Sequence, residues 1–140
     1  MSESLVVHPA LVMIAGALLL PALRGSARDA GVLLVPALTL AALLALPEGD
    51  LWQMQWLDYQ LAPLAVDKLS RLFAIIFALM SLAGGAFALR QPSRLEIPAA
   101  YLYAGSAIGV VLAGDLITVF LFWEFMAVGS TLVLWSAGTP

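Results

Sequence analysis

Cysteine is missing from this 140-residue chain and histidine occurs once. Without a thiol the chain can form no disulfide, no thiolate metal site and no iron–sulfur ligation of its own. The lone His8 cannot supply both axial ligands of a bis-histidine haem. Phosphate-cradling fingerprints of the G-x-x-x-x-G-K-[ST] kind are also absent. Charge is scarce: 11% of the residues are Asp, Glu, Lys or Arg, with a net charge of −3, where soluble domains carry about a quarter. No basic stretch could follow a nucleic-acid backbone. These absences leave little for enzyme chemistry to work with, so the reading is a non-enzyme with no cofactor, no metal and no nucleic acid.

What the chain has in abundance is apolar surface, with 63% hydrophobic residues and a mean hydropathy of +1.02. Such a sequence would precipitate in water and suits a bilayer, so the expected fold is an all-α integral membrane protein. The opening "MSES" carries Glu3 and no positive charge, so the apolar stretch after it is expected to be retained rather than cleaved as a signal peptide. A bilayer core of about 30 Å needs about 20 apolar residues in a helix. Segments of that kind run from about Leu5 to Leu23, Ala30 to Leu46 and Leu69 to Leu89. Pro36 predicts a kink in the second. The apolar run from Ile97 to Trp135, at roughly 1.5 Å per residue, would reach about 58 Å and must fold back. "AGDL" is its break, with Gly114 as helix stop and Asp115 as N-cap. Helix four is therefore expected at Ile97–Ala113 and helix five at Leu116–Trp135, which makes residues 1–140 a single membrane domain of about five transmembrane helices.

Orientation follows from the arginines. Arg24 and Arg28 lie between helices one and two, and Arg90 and Arg94 between helices three and four. In a five-span chain both loops fall on one side, the cytoplasmic one, which puts the N-terminus outside and the C-terminus inside. The loop between helices two and three is acidic, with Glu48, Asp50, Asp58 and Asp67. Within it, "LWQMQWLDYQL" alternates Trp52, Met54 and Trp56 with Gln53 and Gln55, and then Leu57, Tyr59 and Leu61 with Asp58 and Gln60. That period of two predicts a short β-hairpin-like outer loop, its tryptophans at headgroup level.

One carboxylate stands apart. Glu124, in "LFWEFMAVGS", is nine residues past Asp115, about 13 Å into the membrane by helical rise. A charge at the centre of a spanning helix costs about 2.5–3.5 kcal/mol on insertion scales. An ionisable carboxyl at that depth is a functional candidate by default, so Glu124 is read as a candidate proton-relay group. Its neighbours at helical spacing, Ile117, Phe120, Leu121, Ala127, Val128 and Thr131, include no base. No other span offers a deep Lys or Arg, so the chain reads as half of a site, with Asp115 and Thr131 as candidate support.

At the start of helix three, Asp67 is expected to cap the helix and pair with Arg71 four residues on, while Lys68 snorkels to the outer interface. These three are read chiefly as a capped, anchored helix end and secondarily as a surface access point for protons or ions. Gly105 and Gly109, and the pair Gly84–Gly85, read as sites of close helix packing. His8, next to Pro9, reads as an interfacial residue.

Two stretches, "VDKLSRLFAIIFALMSLAGGAFAL" and "YLYAGSAIGVVLAGDLITVFLFWEFMAVGSTLVLW", resemble the opening helices of the antiporter-like membrane subunits. Mrp-type multisubunit cation/proton antiporters, respiratory complex I and membrane-bound hydrogenases share these subunits. The likeness is greatest to the D-type subunit of the Mrp antiporters. It is carried by "D-x-L-S" at the start of helix three, the "A-G-D-L" turn and "W-E-x-M" on helix five. In that family the glutamate matching Glu124 pairs with a lysine on a later helix and takes part in proton transfer, so the resemblance implies that role here. It covers nearly all of this chain but about the first third of a family subunit, and stops before the broken helices and intramembrane lysines. The expectation is thus an N-terminal piece of a split subunit, or a truncated product, that cannot exchange ions alone. It would lie in the inner (plasma) membrane beside other subunits of a multisubunit complex, one of which supplies later helices with buried Lys. Two other readings stand beside this Na+/H+ antiporter component. One is a membrane scaffold or assembly subunit without transport; the other is a membrane-arm subunit of an NADH dehydrogenase-like, hydrogenase-like or carbon-uptake complex.

Overall fold

The computed structural model describes residues 7–89 and 96–136. In chain order it forms α1 (Pro9–Leu19, prolonged by a 3-10 turn over Leu20–Ala22), α2 (Gly25–Ala45), β1 (Gly49–Trp56), β2 (Tyr59–Val66), α3 (Lys68–Phe87), α4 (Glu96–Val111) and α5 (Leu116–Ser136). Glu3, Arg90, Arg94, the start of the first apolar segment at Leu5 and the closing "AGTP" lie outside the described residues.

Three helices are long and apolar enough to cross a membrane: α2, α3 and α5. The expected five spans are not all of that length. Pro9 sits in the first turn of α1 and Pro21 in the 3-10 turn that finishes it, so this helix is bracketed by residues that cannot donate to the ladder. The 16 described residues of α4 are also fewer than the roughly 20 that a span needs. In contrast, α2 starts earlier than its apolar run, at Gly25 rather than near Ala30. Hydropathy marks where hydrocarbon begins, whereas a helix can continue into water with Arg28 and Asp29 in its first turns.

Hydrogen bonds show which helix ends meet. At one end the hairpin gathers the start of α1 (His8 to Pro63), the end of α4 (the Ala65 N–H to the Leu112 carbonyl, 2.7 Å) and the start of α5 (Asp115 to Ala62). There too the Arg71 guanidinium at the start of α3 donates to the Leu46 carbonyl at the end of α2. At the opposite end, Arg28 donates to the Leu89 carbonyl just beyond α3 (3.4 Å). The bundle is therefore up-and-down. α4 is at its centre, packed on α1, α3 and α5, while α2 fills in beside α1 and α3.

Proline shapes the interior as well. Pro36 cannot donate to the Val32 carbonyl one turn earlier. That carbonyl is taken instead by the buried Tyr101 hydroxyl of α4, at 2.6 Å. A polar group freed inside an apolar bundle must find another partner, and this one ties α4 to α2.

The hairpin runs further than the alternation in the sequence indicates. β1 and β2 pair antiparallel from Trp56↔Tyr59 back to Gly49↔Val66, with irregularities around Trp52. The strands reverse at Leu57–Asp58, where Leu57 takes a positive φ of 55°, a conformation uncommon for a bulky residue. The second strand includes "APLAV", which has no alternation to reveal it. Its far edge would leave backbone groups unpaired, but the bundle end uses them. Ala62 donates to Asp115 and accepts from Gly114, Pro63 accepts from His8, and Ala65 donates to Leu112.

Candidate functional site

α5 rests on α4 along one stripe. Thr118, Phe122 and Gly129 are buried, and Met126 is partly so. At Gly129 the two backbones come close enough that a β-carbon would lie 2.8 Å from the Tyr103 nitrogen. On α4, Gly109 gives way to the Phe122 ring, whereas Gly105 gives way to Met13 and Ile14 of α1. The two glycines of G-x-x-x-G therefore serve two different neighbours.

Glu124 lies about 120–160° around the helix from that stripe, reckoned at 3.6 residues per turn. It is exposed, and so are Ile117, Phe120, Leu121, Ala127, Val128 and Thr131 around it. Among the described residues, Glu124 has no hydrogen bond and no ion pair; the one ion pair there joins Arg28 and Asp29 at 3.9 Å. A shallow groove of about 290 Å³ runs beside it, lined by Ala127, Val128, Thr131, Leu132 and Trp135. Thr131 does not reach back to the carboxylate, because its hydroxyl donates to the Ala127 carbonyl at 2.9 Å. The chain's own fold thus turns a mid-helix carboxylate outward, on an otherwise apolar face.

Asp115 sits at the other extreme. Its Oδ1 accepts from the Thr118 N–H and its Oδ2 from the Thr118 hydroxyl and the Ala62 N–H, each at 2.7 Å. It caps α5 as the sequence suggests and also clamps β2 to the α4–α5 turn. Partial burial pushes its carboxyl upward, but the Thr118, Ala62 and Ile117 donors outweigh this and hold it below the usual carboxylate range. This clamp fixes the height of α5 and hence the depth of Glu124.

Asp67, Lys68 and Arg71 belong to the hairpin end. Asp67 and Ser70 form a reciprocal capping box, with the Ser70 N–H to Oδ1 at 2.7 Å and the Asp67 N–H to the Ser70 hydroxyl at 3.0 Å. The Ser70 backbone donor is the main reason the exposed Asp67 carboxyl lies below its ordinary range. The expected Asp67–Arg71 pair does not form. Arg71 turns to the Leu46 carbonyl, an orphan acceptor at a helix C-terminus where a cation is favoured, while the Asp67 carboxylate is engaged by the Ser70 N–H. Lys68 is exposed. No hydrogen bond or ion pair among the described residues links these three to Glu124, and no three His, Asp or Glu side chains there converge as metal ligands.

His8 is the polar residue whose environment the sequence reading missed. It is 2% exposed, caps α1 and touches both hairpin strands. The signal was present in "HP", a cap candidate directly before a proline at the first helical position. Comparison with family models, with curated proteins and with solved structures finds no match to this chain.

Proposed function

We propose that the chain is the N-terminal part of a proton-translocating, antiporter-like subunit of a multisubunit cation/proton (Na+/H+) antiporter of the inner membrane. All five helices cross the bilayer, the hairpin lies outside and the C-terminus is cytoplasmic. The reading joins the "D-x-L-S", "A-G-D-L" and "W-E-x-M" resemblance to one observation: Glu124 sits on the face of α5 turned away from its own bundle, without a partner among the described residues. An ionised carboxylate facing hydrocarbon is costly. A neighbouring chain with a buried lysine removes that cost when it packs on this face, and it supplies the base or counter-charge through which Glu124 takes up and releases a proton. Asp115 sets the depth of Glu124, and Thr131 lies in reach of whatever fills the groove.

Glu124→Gln in the complete complex, reconstituted in vesicles, tests this reading. The expected outcome is loss of proton-coupled cation flux by on the order of 100-fold or more, the scale of losing a general acid–base group, with assembly intact. Unchanged flux would favour the scaffold reading instead. A membrane arm linked to a redox complex would show the same Gln phenotype, but with flux dependent on an electron donor.

A further inference from the structure

His8 joins four elements at the hairpin end. Its Nδ1 lies 3.2 Å from the Ala10 N–H, and its Nε2 lies 2.9 Å from the Pro63 carbonyl oxygen. An amide N–H can only donate and a carbonyl can only accept, so these two contacts fix the ring as neutral, with its proton on Nε2. The ring also meets Trp52 of β1 edge-on at 5.3 Å and Phe122 of α5 at 5.6 Å. Pro9 has no N–H, so Ala10 is the first amide of α1 that needs a cap, and the imidazole provides it.

We propose that His8 is a proton-operated latch between the hairpin and the start of α1. Adding a proton to Nδ1 destroys the acceptor for Ala10, sets two N–H groups against each other and places a cation inside a cage of Trp52, Phe122 and Pro63. The Pro63 carbonyl keeps its donor, but the α1 cap is lost and the charged ring moves toward water. The hairpin does not come free as a whole. Ala62 remains tied to Asp115 and Gly114, and Ala65 to Leu112, so it pivots on the α4–α5 turn and lifts from α1. Acidification on the hairpin side thereby reaches the turn that seats α5.

The charged groups around the latch are few. α1 has no ionisable side chain, β1 contributes the exposed Asp50, and β2 contributes the Tyr59 phenol. α5 contributes Asp115, whose carboxylate is committed to Ala62 and Thr118, and Glu124 on the far side of the helix; α4, packed on α1, offers Glu96 at its other end and two tyrosines. None of them forms an ion pair with the ring among the described residues. Burial pulls the His8 pKa below 6.5, and the Pro63 contact only partly opposes it, so the latch is closed at neutral pH and opens in acid.

Because His8 is the chain's single histidine, its ring nitrogens can be read without assignment. The experiment is a ¹⁵N-histidine NMR titration of the full chain in lipid nanodiscs, paired with hydrogen exchange of the 8–12 segment and corrected for intrinsic rates. At pH 7.5 the expected state is the neutral tautomer with a bare Nδ1. As pH falls below 6.5 the ring should become imidazolium, with exchange at Ala10 rising at least tenfold while Ala65 and Gly114 stay protected. In His8→Asn, whose amide caps without titrating, Ala10 exchange should be flat with pH. A ring with its proton on Nδ1 at pH 7.5, protonation without faster exchange at Ala10, or the same pH response in His8→Asn would each overturn the latch.

Discussion

Two carboxylates along one helix, Asp115 at its N-terminus and Glu124 near its middle, make the most instructive contrast in this molecule. At the N-terminus of α5, Asp115 holds three donors and the turn around it is bonded to β2. About two turns further along the helix, Glu124 has an equivalent carboxylate and, among the described residues, nothing to hold it. The N-terminal carboxylate is satisfied within the chain. The mid-helix one, in the function proposed above, is satisfied by a neighbouring chain. Buried polar groups are satisfied by their own fold, as the partly buried Asp115 is; the exposed Glu124 lies outside that rule, and the proposed partner chain is what would bring it under it.

Substitutions should separate the two regions. The largest effect belongs to Glu124→Gln, with proton-coupled flux in the complete complex falling by on the order of 100-fold while the melting temperature of the isolated chain in detergent is unchanged. Next comes Gly129→Val, which drives a side chain into the Tyr103 backbone. Overpacking of this kind costs about 1–3 kcal/mol and should lower that melting temperature clearly. Asp115→Ala removes a helix cap, worth about 1 kcal/mol, and strands the Ala62 N–H as well. Its chemical-denaturation midpoint should fall, and hydrogen exchange should quicken at Ala62 and Thr118 together.

Acid should weaken the hairpin end in a defined window. The folded His8 pKa is depressed, so the unfolded chain binds more protons and stability rises with pH across the interval. The contribution is complete above 6.5, begins to fade below it, and is gone once pH passes under the folded value. Unfolding midpoints measured from pH 8 to 5 should therefore decline in the wild type and decline less in His8→Asn. The smallest effect is expected from Val128→Ala beside Glu124. This exposed position should move the isolated chain's stability by no more than about 0.5 kcal/mol, yet weaken assembly with the partner chain.

Much of this architecture was legible in the residues. The apolar runs, the "AGDL" turn and the cap at Asp67 depend on local chemistry, and each left a local mark. The misses depend on distant partners. Nothing near Arg71 announces that it will choose the Leu46 carbonyl over Asp67, and "APLAV" pairs as a strand because the α4–α5 turn satisfies its far edge. Helix lengths were not legible either: apolar runs of similar size became helices of unequal length, with Pro9 and Pro21 bracketing α1 and the turn at Gly114 ending α4. Glu124 was visible as an isolated acid, but its outward direction was not, because α5 is apolar all round and its sequence does not say which side meets α4.

Accessibility of that outward face is the most direct test of the account. The chain has no cysteine of its own, so Val128→Cys offers a single attachment point in it for a nitroxide spin label. In the complete complex, power-saturation EPR should find the label immobile and shielded from both dissolved oxygen and a water-soluble nickel chelate, as a position under a protein partner would be. A mobile label with high oxygen and low nickel accessibility would place the Glu124 face against lipid and contradict the account.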